Sequence, residues 1–273
     1  MRERNLRAMR AVGAMPVAPL KPFVDLHLHA LPGVDNGPAS WSAAIELCVE
    51  AAHHGITHAV LTPHFRGKPY AERIARLSSR LIRLREALVD RGLHLDVALA
   101  GECRFDAFLH QAIQSGDLPW LGRWDDDHVV LVEFSDARLP AGIVAAIEWM
   151  RARRIRPMLA HPERIREVQG KIDVLAPLVA AGLLLQVDAD ALAGGRGPYA
   201  QHAAGALLRR GWVTVLASNA HDLVRQPPRI EPGRIAAAEI LGEAASWALV
   251  THHPARIAAM HFPSLAQVES ALR

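Results

Sequence analysis

The sequence of 273 residues is long enough for one large α/β domain or two small ones. Hydrophobic residues make up 51% and aromatic residues only 5%, so we expect a core of Ala, Leu, Val and Ile, typical of helices packed on a buried parallel sheet. The net charge of +3 is small and its arginines are scattered, which argues against a nucleic-acid partner. No apolar run approaches the roughly 20 residues of a membrane-spanning helix.

The N-terminal segment, residues 1–21, is basic and lacks the long apolar stretch of a signal peptide. We expect a disordered arm, or a translation start at Met15, ahead of a single domain over residues 22–273. The two cysteines, Cys48 and Cys103, are too few for a disulfide framework, which fits a reducing compartment. The sequence therefore predicts a cytoplasmic protein.

Short β-branched runs alternate with longer helical patterns along the chain. Ser40 can cap a first helix that ends at Gly55, and a second helix follows from Tyr70 to Gly92. Strand and helix in alternation predict parallel strands joined by right-handed crossovers. Seven such units without a flexible linker favour one barrel-like α/β domain, with a doubly wound open sheet as the alternative. The predicted strands are 23–28, 57–62, 95–101, 128–134, 156–160, 183–187 and 213–217.

Six of the seven predicted strands end in residues that can bind metal ions. The C-terminal ends of parallel strands in a barrel share one rim, where catalytic groups gather. Any one histidine alone would be better explained by ordinary packing, but five imidazoles and two carboxylates on one rim predict a metal centre for zinc, manganese or iron. The residues are, strand by strand, His27 and His29, His64, Glu102, Glu133, His161, and Asn219 with His221.

The first strand brings two of these histidines to the same side. Residues two apart in a β-strand point in the same direction, so His27 and His29 can bind one ion. Asp25, two residues before His27, lies on the same side but deeper in the barrel, and could orient an imidazole.

A protein nucleophile or a nucleotide-binding loop has less support. Neither Cys48 nor Cys103 is followed six residues later by an arginine, so a Cys-x5-Arg phosphate loop is absent. Cys103 is more simply a residue that packs behind the rim. The GxxxxGKS and GxGxxG motifs are absent as well.

In order along the chain, these residues resemble the PHP (polymerase and histidinol phosphatase) superfamily, and within it the bacterial capsule-type, manganese-dependent protein tyrosine phosphatases. The shared motifs are DLHLHALPGVDNG, TPH, GE, LVEF, AHPER and SNAH, which extend from residue 25 to residue 221. The resemblance implies a distorted, seven-stranded TIM-like barrel of the α/β class. It also implies two or three divalent ions, with manganese first and zinc or iron as alternatives.

The resemblance further implies a mechanism and the residues that carry it. A hydroxide that bridges the metal ions attacks the phosphorus of phosphotyrosine. Arg164 in the HPER motif clamps the phosphate with its planar fork of donors, Glu102 bridges two ions, and His221 can assist the leaving group. The implied ligand sets are His27, His29 and Glu102 for the first ion, Glu102, Glu133 and His161 for the second, and His64 and His221 for the third.

Two positions depart from the family pattern. Asn36 stands where the resembling proteins carry a carboxylate for the third ion, and Asn219 where they carry one for the first. An amide oxygen can coordinate a cation but carries no charge, so we expect weaker binding at both places. Asp35 or Asp222, each adjacent or close in sequence, could take over as the ligand.

The leading functional prediction is a metal-dependent phosphatase for phosphotyrosine on proteins, with the tail of a bacterial tyrosine kinase in capsule or exopolysaccharide regulation as its partner. A small-molecule phosphatase of the same superfamily, such as one for histidinol phosphate, is an alternative. A metal-poor protein that binds phosphotyrosine without turnover is another, because of Asn36 and Asn219.

Overall fold

The computed structural model describes residues 22–265. The predicted N-terminal arm, residues 1–21, lies outside this range. Residues 266–273 lie outside it as well, so the extent of the single domain to residue 273 stays a prediction. Across the described range, no helix has both the length and the apolar character needed to cross a membrane.

Strands and helices alternate along the described part of the chain, as the sequence predicts. The strands are β1 (Phe23–Leu28), β2 (Ile56–Leu61), β3 (His64–Phe65), β4 (Asp96–Leu99), β5 (Glu102–Arg104), β6 (Gly122–Trp124), β7 (Asp127–Glu133), β8 (Ile155–Ala160), β9 (Leu184–Asp188) and β10 (Val213–Ala217).

Helices connect and cover these strands. They are α1 (Trp41–His53), α2 (Tyr70–Asp90), α3 (Ala107–Ser115), α4 (Ile143–Arg151), α5 (Arg166–Gly170), α6 (Ala176–Ala180), α7 (Ala189–Leu192), α8 (Pro198–Arg209), α9 (Glu231–Leu241), α10 (Glu243–Trp247) and α11 (His253–Ala258), with single turns at Pro162–Arg164, Ile172–Leu175 and Ala248–His252.

The parallel strands follow one another in chain order. One sheet runs β1-β2-β4 and the other β10-β9-β8-β7-β5-β3. The two are continuous, because β2 leads within two residues into β3, and β4 likewise into β5. The result is seven parallel strand positions in the order β1, β2/β3, β4/β5, β7, β8, β9, β10. A doubly wound sheet would reverse its order at a switch point, so this alternative is wrong.

The first and last strand positions meet at the carboxyl end. Ala220, just beyond β10, forms a parallel bridge with Leu28 at the end of β1. The backbone N–H of His29 donates to the carbonyl oxygen of Ala220 at 2.9 Å. The strands thus encircle a centre and bring the ends of β1 and β10 together, which confirms the predicted α/β class with a seven-stranded, barrel-like arrangement.

Local predictions hold with small shifts, and three short strands lie outside the predicted ranges. The Ser40 hydroxyl accepts from the backbone N–H of Ala43 at 3.2 Å, so Ser40 caps α1 as predicted. The helices α1 and α2 each end two residues before the predicted glycine stop. Strands β3, β5 and β6 were not predicted, because each is only two or three residues long. Strand β6 pairs antiparallel with β7 through the tight turn at Asp125.

Candidate metal centre

The backbone register brings polar side chains to one rim of the barrel. His64 in β3 is the partner of Glu102 in β5, and Arg104 in β5 is the partner of Glu133 in β7. The predicted ligands lie near the carboxyl ends of their strand positions, except Asn36, which lies in the loop before α1. His64 and Glu102 begin the short strands β3 and β5, which continue β2 and β4. The order of parallel strands therefore assembles the site from segments that are far apart in sequence.

His27 in β1, His29 just after it and one carboxylate form the most buried group of the rim. The Nε2 atoms of His27 and His29 lie 3.0 Å apart, and each lies 3.4 Å from Oε2 of Glu102. Two nitrogens bound to one cation, each at about 2.1 Å, are separated by roughly 3.0–3.4 Å, so the spacing fits a shared ion. These are the three residues that the resemblance assigns to the first ion.

Glu102 also contacts two further histidines. Its Oε2 lies 2.8 Å from Nδ1 of His64 and its Oε1 lies 2.8 Å from Nε2 of His161. Burial would raise the pKa of Glu102, but the charge of His27 and hydrogen bonds from neighbouring imidazoles hold it well below its usual range. Glu102 stands at the middle of the cluster, as expected of a carboxylate that bridges two ions.

His64 and His161 are grouped differently from the resemblance. The resemblance pairs His161 with Glu133, whereas the structure places Nδ1 of His64 3.6 Å from Oε1 of Glu133. His64, Glu102 and Glu133 have ligand atoms close enough to hold one cation. A third compatible group is His29, His64 and His221.

His221 is neutral and presents a lone pair to the rim. Its Nδ1 lies 2.9 Å from the carbonyl oxygen of Asn219, which can only accept, so the proton is on Nδ1. Its buried Nε2 has no hydrogen-bond partner among the described residues. Burial, together with the positive charge of His29 stacked at 3.8 Å between ring centroids, lowers the pKa of His221 to about 3.

Two acceptors orient the imidazoles of β1. Nδ1 of His27 faces Oε1 of Gln186 at 2.9 Å, and Nδ1 of His29 faces Oδ2 of Asp35 at 2.9 Å. Each acceptor fixes the proton on Nδ1 and leaves Nε2 for a cation, an arrangement common in metal sites of proteins. The donor set and its orientation therefore fit divalent metal ions.

The acidic residues suggested as substitute ligands have other contacts. Asp35 faces Nδ1 of His29 and also accepts from the backbone of His64 and Gly37. Burial lowers the pKa of His29, but the hydrogen bonds to Asp35 and Glu102 outweigh it and raise the pKa to about 9. Asp222 is exposed and accepts from the N–H groups of its own turn. Both carboxylates are thus engaged in contacts within the protein.

Asp25 orients backbone, whereas the sequence suggested that it orients an imidazole. Its Oδ1 accepts from the backbone N–H of His27 and of Ser218, each at 3.1 Å, and its Oδ2 accepts from the Ser218 hydroxyl. Asp25 is fully buried, and burial raises its pKa despite these hydrogen bonds. It ties the end of β10 to β1 and so fixes the rim from beneath.

Two rim residues adopt left-handed backbone conformations. His161 has φ of 38° and Asn219 has φ of 49°. Such conformations are costly for residues other than glycine and are concentrated at functional sites, although Asn and His tolerate them better than most. Asn36 is exposed and lines the same cavity as His64 and His221.

Sequence reasoning missed three buried polar residues behind the rim. Gln186 and Asp188 lie on β9, whose end was the one without a candidate, and Glu163 lies inside the HPER motif. Gln186 and Asp188 stand two residues apart in the otherwise apolar run LLLQVD, and this spacing could have indicated that both point to the same side of the strand. Oε1 of Glu163 accepts from the backbone N–H of Asp188 at 3.1 Å. Burial and the charge of Asp188 raise the pKa of Glu163 to about 8.

The rim opens into a cavity of about 330 Å³ with four arginines in its wall, Arg66, Arg104, Arg164 and Arg166. This volume is at the lower end of the range for small-molecule sites. Arg66 donates from Nε and Nη2 to the two oxygens of Glu133, at 2.5 and 2.9 Å. The cavity therefore combines imidazoles and carboxylates at its base with guanidinium groups that suit a phosphate.

The cysteines do not contribute to the cavity. Cys103 follows Glu102 but is fully buried behind the rim, as predicted, and burial raises the pKa of its thiol far above the usual value. Cys48 is a buried free thiol in α1 whose pKa burial raises to about 12. Neither supplies the thiolate that nucleophilic catalysis requires.

Comparison with known proteins agrees with this architecture. The family "Capsular polysaccharide synthesis, CpsB/CapC" matches residues 23–259. CapC of Staphylococcus aureus is 27% identical over 205 residues, 75% of this chain and 79% of that protein. Tyrosine-protein phosphatase YwqE of Bacillus subtilis is 26% identical over 201 residues, 74% of this chain and 78% of that one.

A solved structure shares the fold. It belongs to a pair of crystal structures, YwqE from Bacillus subtilis and CpsB from Streptococcus pneumoniae, which are metal-dependent tyrosine phosphatases. The TM-score is 0.75 at 23% sequence identity, over 83% of this chain and 90% of the other. With the family match extending over most of the described residues, the chain belongs to the CpsB/CapC family of capsular polysaccharide synthesis.

Proposed function

We propose that this protein is a metal-dependent phosphatase that hydrolyses phosphotyrosine on proteins. The observation that carries the proposal is one cavity lined by the imidazoles of His64, His161 and His221, the carboxylates of Glu102 and Glu133, and four arginines. The buried imidazoles of His27 and His29 contact Glu102 from behind this lining. The relatives YwqE and CpsB, named tyrosine-protein phosphatases, support the choice of phosphotyrosine. A buried thiolate or another covalent nucleophile is not needed for this chemistry.

We assign the metal ligands as His27, His29, Asn36, His64, Glu102, Glu133, His161, Asn219 and His221, with two or three ions per chain and manganese as the native metal. Bound divalent cations would lower the pKa of water to near neutrality and neutralise phosphate oxygens. Imidazole and carboxylate donors suit manganese, and also zinc and iron.

Arg164 is the proposed phosphate clamp. It lines the cavity beside His161, and its Nη1 lies 3.8 Å from Oδ2 of Asp188. That contact directs the guanidinium without satisfying it, since the distance exceeds a hydrogen bond. The planar fork remains available to two phosphate oxygens.

His221 is the proposed group nearest to the leaving phenolate. Its proton sits on Nδ1, held by the Asn219 carbonyl, so its Nε2 can bind a cation and carries no proton to give to the phenolate. Phenolates leave readily, and a strong general acid is therefore not essential to the reaction. Glu102, in contact with four imidazoles, holds the base of the cavity together.

The protein partner follows from the same chemistry. We propose a phosphotyrosine segment that can extend into the cavity, such as the tail of a bacterial tyrosine kinase in capsule or exopolysaccharide synthesis, and we place the reaction in the cytoplasm. The match to a capsular polysaccharide family supports this setting.

The test compares substrates and metals on the full chain. Manganese-loaded protein is assayed with a phosphotyrosine peptide, the same peptide carrying phosphoserine, and histidinol phosphate, while elemental analysis counts the metal. We expect turnover on phosphotyrosine first. The variants His161→Ala and Glu102→Ala should each lose at least about 100-fold in turnover together with metal, since even residues behind the ligands cost up to that much.

His202→Ala is the matched control, because His202 is an exposed histidine of α8 away from the rim. It should retain wild-type turnover and metal. Preference for histidinol phosphate would overturn the protein-phosphatase assignment. A fully metal-loaded chain without turnover on any of the three esters would overturn the phosphatase assignment.

A further inference from the structure

The end of β9 carries a buried carboxylate that the ligand assignment leaves without a role. Asp188 is the last residue of β9 and is completely buried. In the register of the sheet its partner is Ala217, two residues before Asn219. The strand end that lacked a candidate in the sequence is thus adjacent to the position where a carboxylate is missing.

Asp188 and Asn219 form a direct hydrogen bond. Nδ2 of Asn219 donates to Oδ2 of Asp188 at 3.1 Å. A carboxylate can only accept, so this contact fixes the orientation of the amide with its nitrogen towards Asp188. The amide oxygen, Oδ1 of Asn219, is buried at the wall of the metal cavity and has no hydrogen-bond partner within the described range.

The charge of Asp188 is only partly compensated. Its Oδ1 is also without a hydrogen-bond partner among residues 22–265. The guanidinium of Arg164 lies 3.8 Å from Oδ2, outside hydrogen-bond distance, and the nearby Glu163 is an acidic group. A buried carboxylate without a full partner is costly unless a cation lies close by.

We propose that Asp188 supplies the negative charge that Asn219 lacks, so that the pair acts as one anionic ligand unit, with the Asn219 oxygen towards the cation and Asp188 behind it. The proposal rests on the metal centre of the proposed function. It explains why an uncharged amide can occupy a ligand position. The carboxylate has moved from the end of β10 to the neighbouring end of β9.

The Asp188–Asn219 pair predicts how metal binding responds when a carboxylate is introduced at position 219. Asn219→Asp alone would place two carboxylates about as close as the present hydrogen bond, and like charges at that distance disfavour each other. Restoring the carboxylate at position 219 is therefore not expected to tighten binding unless Asp188 becomes an amide at the same time. The exchanged pair keeps both the hydrogen bond and the total charge.

The experiment titrates Mn²⁺ into metal-free protein by calorimetry and measures metal retained after dialysis, without any substrate. The variants are Asp188→Asn, Asn219→Asp and the exchange of both, with Asp190→Asn as the control in the adjoining helix. We expect Asp188→Asn to weaken Mn²⁺ binding by about 10- to 100-fold, in the range for residues that support metal ligands. Asn219→Asp should not bind more tightly than wild type.

The exchanged double variant should return to within about threefold of the wild-type affinity, and Asp190→Asn should match wild type. Tighter binding by Asn219→Asp alone would overturn the proposal, as would full affinity in Asp188→Asn. If Asp188→Asn does not fold, as judged by circular dichroism, the other two variants still decide. Because no substrate is used, a chain that binds Mn²⁺ but fails to hydrolyse phosphotyrosine contradicts the proposed function without affecting this test.

Discussion

Asp35 contacts His29 at Nδ1, the ring nitrogen that points away from the proposed metal centre. Its Oδ2 lies 2.9 Å from Nδ1 of His29, on the side of the ring opposite to the Nε2 atom that faces His27 and Glu102. The pair is largely buried, and the hydrogen bond holds the imidazole against rotation. Asp35 therefore supports a proposed metal ligand from behind.

The first prediction tests this support. Asp35→Asn should weaken the Mn²⁺ affinity, corrected for the proton that His29 must release, by about 10- to 100-fold, because an amide is a poorer acceptor for the Nδ1 proton and makes His29 a weaker ligand. Asp222→Asn is the control, since Asp222 is exposed and holds only its own turn. Titration calorimetry measures both. Equal loss in the two variants would mean that general charge, and not orientation, governs binding.

The rim could be predicted because strand ends are readable in the sequence. Buried parallel strands are apolar runs, so the polar residue that ends each run stands out, as His64, Glu102 and His161 do. The chain order of strands then places these ends together. The rim residues could therefore be predicted without knowing which distant side chains contact one another.

The contacts behind the rim could not be predicted in the same way. Asp188 contacts Asn219 across 31 positions of sequence, and Arg66 reaches Glu133 across 67. Such partners depend on side-chain reach and on the register of neighbouring strands, neither of which a single sequence displays. Asp35 shows the same limit, because its carboxylate could have faced the cavity, and only the turn geometry directs it to Nδ1 of His29.

The second prediction concerns pH. The metal-free protein holds a proton on His29 with a pKa raised to about 9, and this proton must leave before Nε2 can bind a cation. The affinity for Mn²⁺ should therefore rise with pH up to about 9, by at most about tenfold per unit for one released proton. Calorimetry in buffers of different ionisation enthalpy counts the proton. An affinity that stays constant between pH 7 and 9 would contradict the assignment.

The same raised pKa affects the stability of the metal-free protein in the opposite direction. A group with a pKa above its unfolded value contributes stability below pH 6.5, and this contribution disappears as the pH rises through about 9. The thermal midpoint of metal-free protein should fall over this interval. Saturating Mn²⁺ should reverse the trend, because cation binding stabilises the deprotonated site.

The third prediction concerns the loop that carries Asp35. A Cβ at Gly37 would collide with the carbonyl oxygen of His29, so the loop can approach β1 only with glycine there. Gly37→Ala should destabilise the protein by about 1–3 kcal/mol and weaken metal binding, because Asp35 moves away from His29. Gly170→Ala is the control, with open space around the position and an expected change of less than about 1 kcal/mol. Chemical denaturation measures both, and similar losses would contradict the close approach.

The fourth prediction concerns competition for Glu133. Arg66 donates to both oxygens of this carboxylate, so a cation that binds there competes with the guanidinium for the same negative charge. Arg66→Gln should tighten Mn²⁺ binding by about two- to fivefold, the scale of a half-exposed ion pair, and raise KM for the phosphopeptide. Arg104→Gln should leave metal affinity unchanged, since Arg104 donates to the Phe134 carbonyl and lies 3.9 Å from Glu133. Weaker metal binding in Arg66→Gln would show that Arg66 assists the site.

The last prediction separates a phosphate clamp from a scaffold at Arg164. Arg164→Lys keeps the positive charge near Asp188 but loses the fork that can bind two phosphate oxygens at once. We expect KM to rise and turnover to fall, together by about 10- to 100-fold in kcat/KM, the scale of one lost charge-assisted hydrogen bond. Metal content should stay at the wild-type value, because the lysine still balances the carboxylate behind Asn219. A loss of metal in Arg164→Lys would instead mean that the guanidinium holds Asp188 in place, and the clamp assignment would be wrong.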